Sequence, residues 1–347
     1  MNKEVISLTY PTLLRRISCV LLAVFLTTFP VSAFIIGTSE DLEALTASPE
    51  NSDPVTGKNY SPIATNLEFE TYKNVGIQEK LSAFDPDGDL LHIRIIKNPA
   101  RGSVSLAEDG SLCFTYTPYE NKIGKDTFTY VAEDSFGNRS TPATVKIKIQ
   151  KPKTKVTYAD MSGNPAHKAA VRLAELDILV GQRLGDTYCF HPNETVSREE
   201  FLSMAMDTLD SELLPEVVST GFADNDAIAV WAKPYVATAL HYGMVTGSSN
   251  EQGQAVFQPN RPVTRGEASV LLNRLLQLSD VSIDQTMLED GTPAWASQSV
   301  INLETVGILP TNTELSDSLT KGDCAIMLSA ALDVLDFREN SGKFHFF

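Results

Sequence analysis

Three short segments set a cation directly after a hydroxyl residue and two positions before a carboxylate: Ser197-Arg198-Glu199-Glu200, Thr264-Arg265-Gly266-Glu267 and Thr320-Lys321-Gly322-Asp323. Ser or Thr followed three residues later by Glu or Asp is a capping box, so Glu200, Glu267 and Asp323 have a sufficient structural role. The cation does not. In the first turn it opposes the helix dipole by roughly 0.3–1 kcal/mol, yet it recurs as Arg198, Arg265 and Lys321. One account is an ion pair with an aspartate of the same or an adjoining copy, Asp160, Asp224 or Asp290. The other is an anionic ligand held by helix N-terminal amides together with the cation. The residue types alone leave both open, because buried ion pairs and ligand sites use the same side chains.

A second acidic run, Asp85-Pro86-Asp87-Gly88-Asp89, has the opening spacing of an EF-hand loop. Its sixth position is Leu90 where Gly is needed and its twelfth is Ile96 where Glu is needed, which rules that loop out. Asp85, Asp87 and Asp89 then read as turn residues satisfying their own backbone, with a weak calcium site as the alternative. Trp231 and Trp295 read as helix core anchors, or as sugar-stacking faces. The five histidines stand singly, and the four cysteines form no CxxC pair, so no cofactor or other metal is expected. There is no nucleophile elbow, P-loop or dinucleotide fingerprint, and Ser318-Leu319-Thr320-Lys321 lacks the partners of an SxxK site. The chain reads as a non-enzyme.

The elements that must position these residues fall into two regions. Between 62 and 150 the apolar period is two, as in Leu112/Phe114/Tyr116, Phe128/Tyr130 and Val145/Ile147/Ile149, with turn signals at Asp109-Gly110 and Asp134–Asn138. This predicts an antiparallel β-sandwich of about seven strands. After Thr157 the period becomes helical, and Tyr158-Ala159-Asp160 recurs as Phe222-Ala223-Asp224 and Leu288-Glu289-Asp290, at intervals of 64 and 66 residues. Each copy predicts a first helix stopping at Asp177, Gly243 or Gly307 and a second starting at the capping box. The predicted divisions are a signal peptide over 1–33, a flexible linker over 34–61, the sandwich over 62–150, a solvated basic linker over 151–157, helical copies over 158–210, 222–280 and 288–337, and a tail over 338–347.

The signal segment is read from Arg15-Arg16, the apolar run 17–29 and Val31-Ser32-Ala33, and it predicts export without a lipid anchor. Across 347 residues, Lys+Arg 28 against Asp+Glu 44 leaves a net charge of −16. That excess argues against a nucleic-acid partner.

Two resemblances attach to these residues. The stretch through Ala83–Asp89, Asn98–Val104, Phe114–Pro118 and Gly124–Tyr130 resembles bacterial cadherin-like, Ig-like modules of surface proteins. The pattern Phe222-x-Asp224, Trp231-Ala232, Gly243-Met244, Phe257-x-Pro259 and Val263–Glu267 resembles an S-layer homology (SLH) repeat, and three such copies imply an all-α pseudo-threefold bundle with grooves between repeats. That resemblance implies non-covalent attachment to pyruvylated secondary polysaccharide of a bacterial cell wall, with Arg265 on the acidic sugar and Asp224, Trp231 and Gly243 shaping the groove. Copy one matches through Asp160 and Arg198 but has His167 in place of the tryptophan. Copy three keeps Asp290, Trp295 and Gly307, has Lys321 for Arg and lacks the Phe-x-Pro segment, so its groove is expected to be structural. The expected protein is therefore secreted and wall-anchored, displaying a sandwich outward. The alternative is an adhesin or assembly subunit whose sandwich binds a protein or glycan while the helical copies serve as scaffold.

Overall fold

The structure is a computed structural model, described for residues 59–282, 292–311 and 313–343. The signal segment, most of the 34–61 linker and Asp290 lie outside the described residues. Residues from Asn59 onward form one compact unit.

Nine strands come first: β1 (Ile63–Ala64), β2 (Leu67–Tyr72), β3 (Ile77–Lys80), β4 (Ala83–Phe84), β5 (His92–Lys97), β6 (Gly102–Leu106), β7 (Cys113–Pro118), β8 (Gly124–Glu133) and β9 (Ala143–Gln150). A four-stranded sheet ordered β2-β9-β8-β5 faces a three-stranded sheet ordered β3-β7-β6, and β1 and β4 pair separately. The alternation of apolar residues converts directly into this geometry, since successive side chains of a strand point to opposite faces. Phe114, Tyr116, Phe128, Tyr130, Val145 and Ile147 are all buried between the sheets. One expectation needs correction. The sandwich is not wholly antiparallel, because β2 runs parallel to β9 from Leu67↔Val145 to Tyr72↔Gln150. Pairing between strands so distant in sequence is set by the closing of the two sheets and leaves no local signal.

The helical region contains α1 (His167–Glu175), a hairpin of β10 (Gln182–Leu184) and β11 (Thr187–Cys189), α2 (Arg198–Thr208), α3 (Lys233–His241), a hairpin of β12 (Ser248–Ser249) and β13 (Ala255–Val256), α4 (Arg265–Leu276), α5 (Ser297–Thr305) and α6 (Lys321–Lys343). The first helices of the copies end as predicted. Asp177, Gly243 and Gly307 all take positive φ just past them, the left-handed stop that releases the chain from the helix. The capping boxes form at Ser197/Glu200 and Thr264/Glu267. At Thr320/Asp323 the Asp323 amide donates to Thr320 Oγ1 at 3.1 Å and the Thr320 hydroxyl to Asp323 Oδ2 at 2.9 Å.

Just before the second helices, the three copies meet in a closed ring of backbone hydrogen bonds. The Val196 amide donates to the Leu319 carbonyl (2.9 Å), Leu319 to Val263 (2.8 Å) and Val263 to Val196 (3.0 Å). All three side chains are buried. Arg172 of α1 ties that helix to α6, bonding the Ser329 carbonyl, Asp333 and Asp336. The tail expectation is thereby shortened, because α6 continues to Lys343 and Arg338 donates to the Leu276 carbonyl.

The basic connector keeps Lys151, Lys153 and Lys155 exposed to solvent while its backbone and Val156 dock on the helices. The Lys153 amide donates to Glu175, Val156 packs on the helical core, and Val75 of the sandwich is buried in that same core. Tyr72 Oη donates to Glu175 at 3.0 Å across the junction.

Candidate functional site

Helix N-termini normally present unpaired amides, but here the neighbouring copy takes them. The Arg198 and Glu199 amides donate to the Arg261 and Pro259 carbonyls, those of Arg265 and Gly266 to Asp317 and Leu315, and those of Lys321 and Gly322 to Glu194 and Pro192. The capping side chain accepts from the third amide in each copy. An anion site built on free helix amides is therefore excluded, and any ligand must be held by side chains.

The same bonds decide what faces each cation. The residue four positions before the cation of the next copy is held against it by its own carbonyl, and its side chain follows. Arg265 pairs with Asp317 (3.0 Å) and Asp323 (2.9 Å). Lys321 pairs with Glu194 (2.5 Å). Arg198 meets Arg261 at the corresponding place, and both guanidiniums turn to one carboxylate oxygen, Glu267 Oε1, with Arg198 at 3.2 Å. Arg198 also donates to the Phe257 carbonyl at 2.9 Å and lies 5.1 Å from the centre of the Phe257 ring. Burial lowers the Arg198 pKa, with Glu267 opposing the shift and Arg261 adding to it.

Asp160 and Asp224, the ion-pair partners considered from sequence, do something else. Asp224 accepts the Phe257 and Gln258 amides at 2.8 and 2.7 Å, and Asp160 accepts those of Phe190 and His191 at 2.9 and 2.7 Å. Each pins the Phe-x-Pro segment whose carbonyls the preceding copy or its neighbour uses. Burial pushes the Asp160 pKa up, but the two amides outweigh it and hold the carboxyl below its ordinary value. Gly243 terminates α3. The core-anchor reading of the tryptophans fails, since Trp231 is 52% and Trp295 60% exposed.

Among the described residues, grooves run between copies. One, of about 360 Å³, is lined by Arg198, Glu267, Arg274, Phe257, Leu271 and Trp295. Another, of about 290 Å³, is lined by Arg265, Asp323, Glu314, Pro310 and Ile326. Sequence reasoning missed Arg261, Asp317 and Glu194. Their shared spacing from the cations was visible, but its meaning depends on which copy follows which in space.

At the sandwich tip, ligand oxygens of Asp85, Asp87 and Asp89 lie within 4.8 Å of one another. Asp85 Oδ1 accepts the Asp87 and Asp89 amides, as the turn reading requires. Asp85 Oδ2 and Asp89 Oδ2 are buried with no hydrogen-bond partner. Burial raises the Asp89 pKa, and the carboxylates of Asp85, Asp134 and Asp87 raise it further.

Comparison with known proteins agrees with this division. Residues 59–151 match the bacterial cadherin-like domain, and residues 222–269 match the S-layer homology domain. The chain carries both domains. It is 34% identical over 99 residues to exoglucanase XynX of Acetivibrio thermocellus, 28% of this chain and 9% of that protein. It is 34% identical over 98 residues to an amylopullulanase of Thermoanaerobacterium thermosulfurigenes, 27% of this chain and 5% of the other. With the surface-layer 125 kDa protein of Lysinibacillus sphaericus it shares 31% over 93 residues, 27% of this chain and 8% of that one. The chain thus spans less than a tenth of the length of these curated relatives. The two domain matches and the surface-layer relative support a surface protein attached to a cell wall. Among the described residues no helix is long and apolar enough to cross a membrane.

Proposed function

We propose that copies 158–210, 222–280 and 288–337 are three SLH repeats in a pseudo-threefold bundle that binds an acidic secondary polysaccharide of the cell wall, and that the cadherin-like sandwich is the displayed module. The observation that carries this is the ring of cations, Arg198, Arg265 and Lys321, each set at a boundary between copies and each facing a carboxylate of the next copy or sharing one. A carboxylate-bearing sugar can replace that partner without leaving a buried charge unpaired. Asp160 and Asp224 serve as positioning residues, holding the Phe-x-Pro segments that flank the grooves. Trp231 and Trp295, being exposed, are free to stack on a sugar ring. The test is sedimentation of the exported chain, residues 34–347, with isolated walls. It should pellet with intact walls and stay in solution once the secondary polymer has been extracted; equal pelleting on both would refute the reading.

The orphaned carboxylate oxygens at the sandwich tip favour calcium there over a turn alone. Two buried acceptors without donors, beside two further carboxylates, fit a hard cation with oxygen ligands. Millimolar calcium should raise the melting temperature of the sandwich by several degrees and a chelator reverse it, while Asp89→Asn should melt at the same temperature in both. A wild-type chain indifferent to calcium would leave Asp85, Asp87 and Asp89 as turn residues only.

A further inference from the structure

The two main sheets of the sandwich have four edge strands, β2 and β5 in one and β3 and β6 in the other. An edge offers unpaired N–H and C=O groups to any strand that approaches, and charged side chains or bulges usually discourage that pairing. Three edges follow the rule. β2 carries Glu68 and Glu70, β3 carries Glu79 and Lys80, and β5 carries Arg94 and Lys97 with a register break between Ile95 and Lys97. β6 is Gly102-Ser103-Val104-Ser105-Leu106, with no charge, proline or bulge. Which of its backbone groups are free follows from the ladder to β7. The Ala107 amide donates to the Cys113 carbonyl and the Tyr119 amide to the Arg101 carbonyl, so the odd-numbered positions from 101 to 107 face β7 and the even-numbered ones face away. Val104 and Leu106 therefore present both backbone groups outward and are half-buried, whereas Gly102, of the same orientation, is buried. Ser103 and Ser105 are exposed.

We infer that β6 is a self-association edge, on which a second copy of this chain adds its own β6 antiparallel and joins two three-stranded sheets into one of six. A two-fold axis through Ser105 sets Val104 against Leu106 of the second copy, and the reverse, so four backbone hydrogen bonds form with Gly102 left outside the seam. Ser105 then opposes itself. Charge decides for a second copy as the occupant. The whole chain carries −16, so two copies repel over most of their surface. In this register the seam itself is neutral, and exposed Arg101 at one end lies opposite exposed Asp109 of the second copy, which repeats at the other end by symmetry. The Arg101 guanidinium rests on the Ile123 and Lys125 carbonyls, which leave its charge uncompensated. The helical regions do not collide either. Gly102 pairs with Pro118 at the end of the sheet where Ile77 meets Tyr116, beside Val75 of the helical core, so antiparallel pairing sends the two helical regions to opposite ends. The inference does not depend on the wall-polymer reading.

Sedimentation velocity of the exported chain, residues 34–347, from micromolar to near-millimolar concentration tests it. Wild type should pass from monomer to dimer, and a monomer throughout would overturn the inference. Ser105→Lys and Ser105→Glu each set like charges opposite one another at the axis and should each weaken the dimer about threefold or more, while their equimolar mixture should pair at least as tightly as wild type. Val104→Pro removes an N–H that the β6–β7 ladder does not use, so it should abolish the dimer at a melting temperature within a few degrees of wild type. The Ser105 variants change an exposed side chain alone, and they decide the matter even if Val104→Pro fails to fold. A dimer unchanged by either Ser105 substitution would place the contact elsewhere and refute the edge. A mixture that pairs no better than its separate components would refute the two-fold register.

Discussion

Asp126→Ala is expected to destabilise the sandwich by about 3–5 kcal/mol, the largest effect of any polar substitution there. Asp126 is 5% exposed, and its carboxylate accepts from the Ala100, Arg101 and Thr127 amides and from Tyr116 Oη at 2.7–3.0 Å. Alanine removes the acceptor of three part-buried backbone amides and of the hydroxyl of Tyr116, which is fully buried. Burial alone would push the Asp126 pKa up, but these bonds outweigh it and hold the carboxyl below its ordinary value. The sign of the linkage follows. The stabilisation is complete above the ordinary carboxylate range and disappears as pH falls through the lowered native pKa. Urea unfolding followed by far-ultraviolet circular dichroism should show a steeper loss of stability in acid for wild type than for Asp126→Asn. Parallel acid limbs would contradict the assignment.

Gly247→Ala should cost the helical region about 2–5 kcal/mol. At φ +71° a side chain is strained by roughly 1–2 kcal/mol. A Cβ there would also lie 2.6 Å from both the Val256 carbonyl oxygen and Phe222 Cε1, and relieving such overlap costs about 1–3 kcal/mol more. Gly243→Ala is the internal control. Its φ is +69°, but nothing lies within 4 Å of the added carbon, so only the conformational part should appear. Melting followed by tryptophan fluorescence distinguishes them, since both tryptophans belong to the helical copies. Equal losses would mean that the close approach is relieved without cost. Gly181 repeats the pattern against the Cys189 carbonyl, whereas copy three has Thr311 at that place and no hairpin among its described residues between α5 and α6.

The legible and illegible parts of the chain divide along a physical line. Capping boxes, helix stops and strand alternation depend on residues within a few positions of one another, and they were readable at Ser197/Glu200, at Gly243 and along Val145–Ile149. The parallel β2–β9 ladder, the docked connector and the partners of Arg198, Arg265 and Lys321 depend on which distant segments meet. The tryptophans misled for a related reason. Position 231 and position 295 precede helices whose buried faces look inward, and aromatic type alone does not say on which side of the turn a ring falls.

The parallel pairing of β2 with β9 has a mechanical consequence. The chain enters the sandwich at the tip that holds Asp85–Asp89 and leaves it, through Gln150, at the end docked on the helices. Because the first long strand and the last lie side by side with the same direction, tension between those two ends pulls β2 and β9 past each other along their length. Their evenly spaced bonds from Leu67 to Tyr72 then bear the load together, as in shear, and cannot be opened one by one. The barrier to forced unfolding is therefore concentrated in a single six-residue seam. Lys146–Glu68 and Lys148–Glu70 cross that seam from its solvent side, so a proline within β2 would lower the force at which the sandwich yields far more than it lowers equilibrium stability.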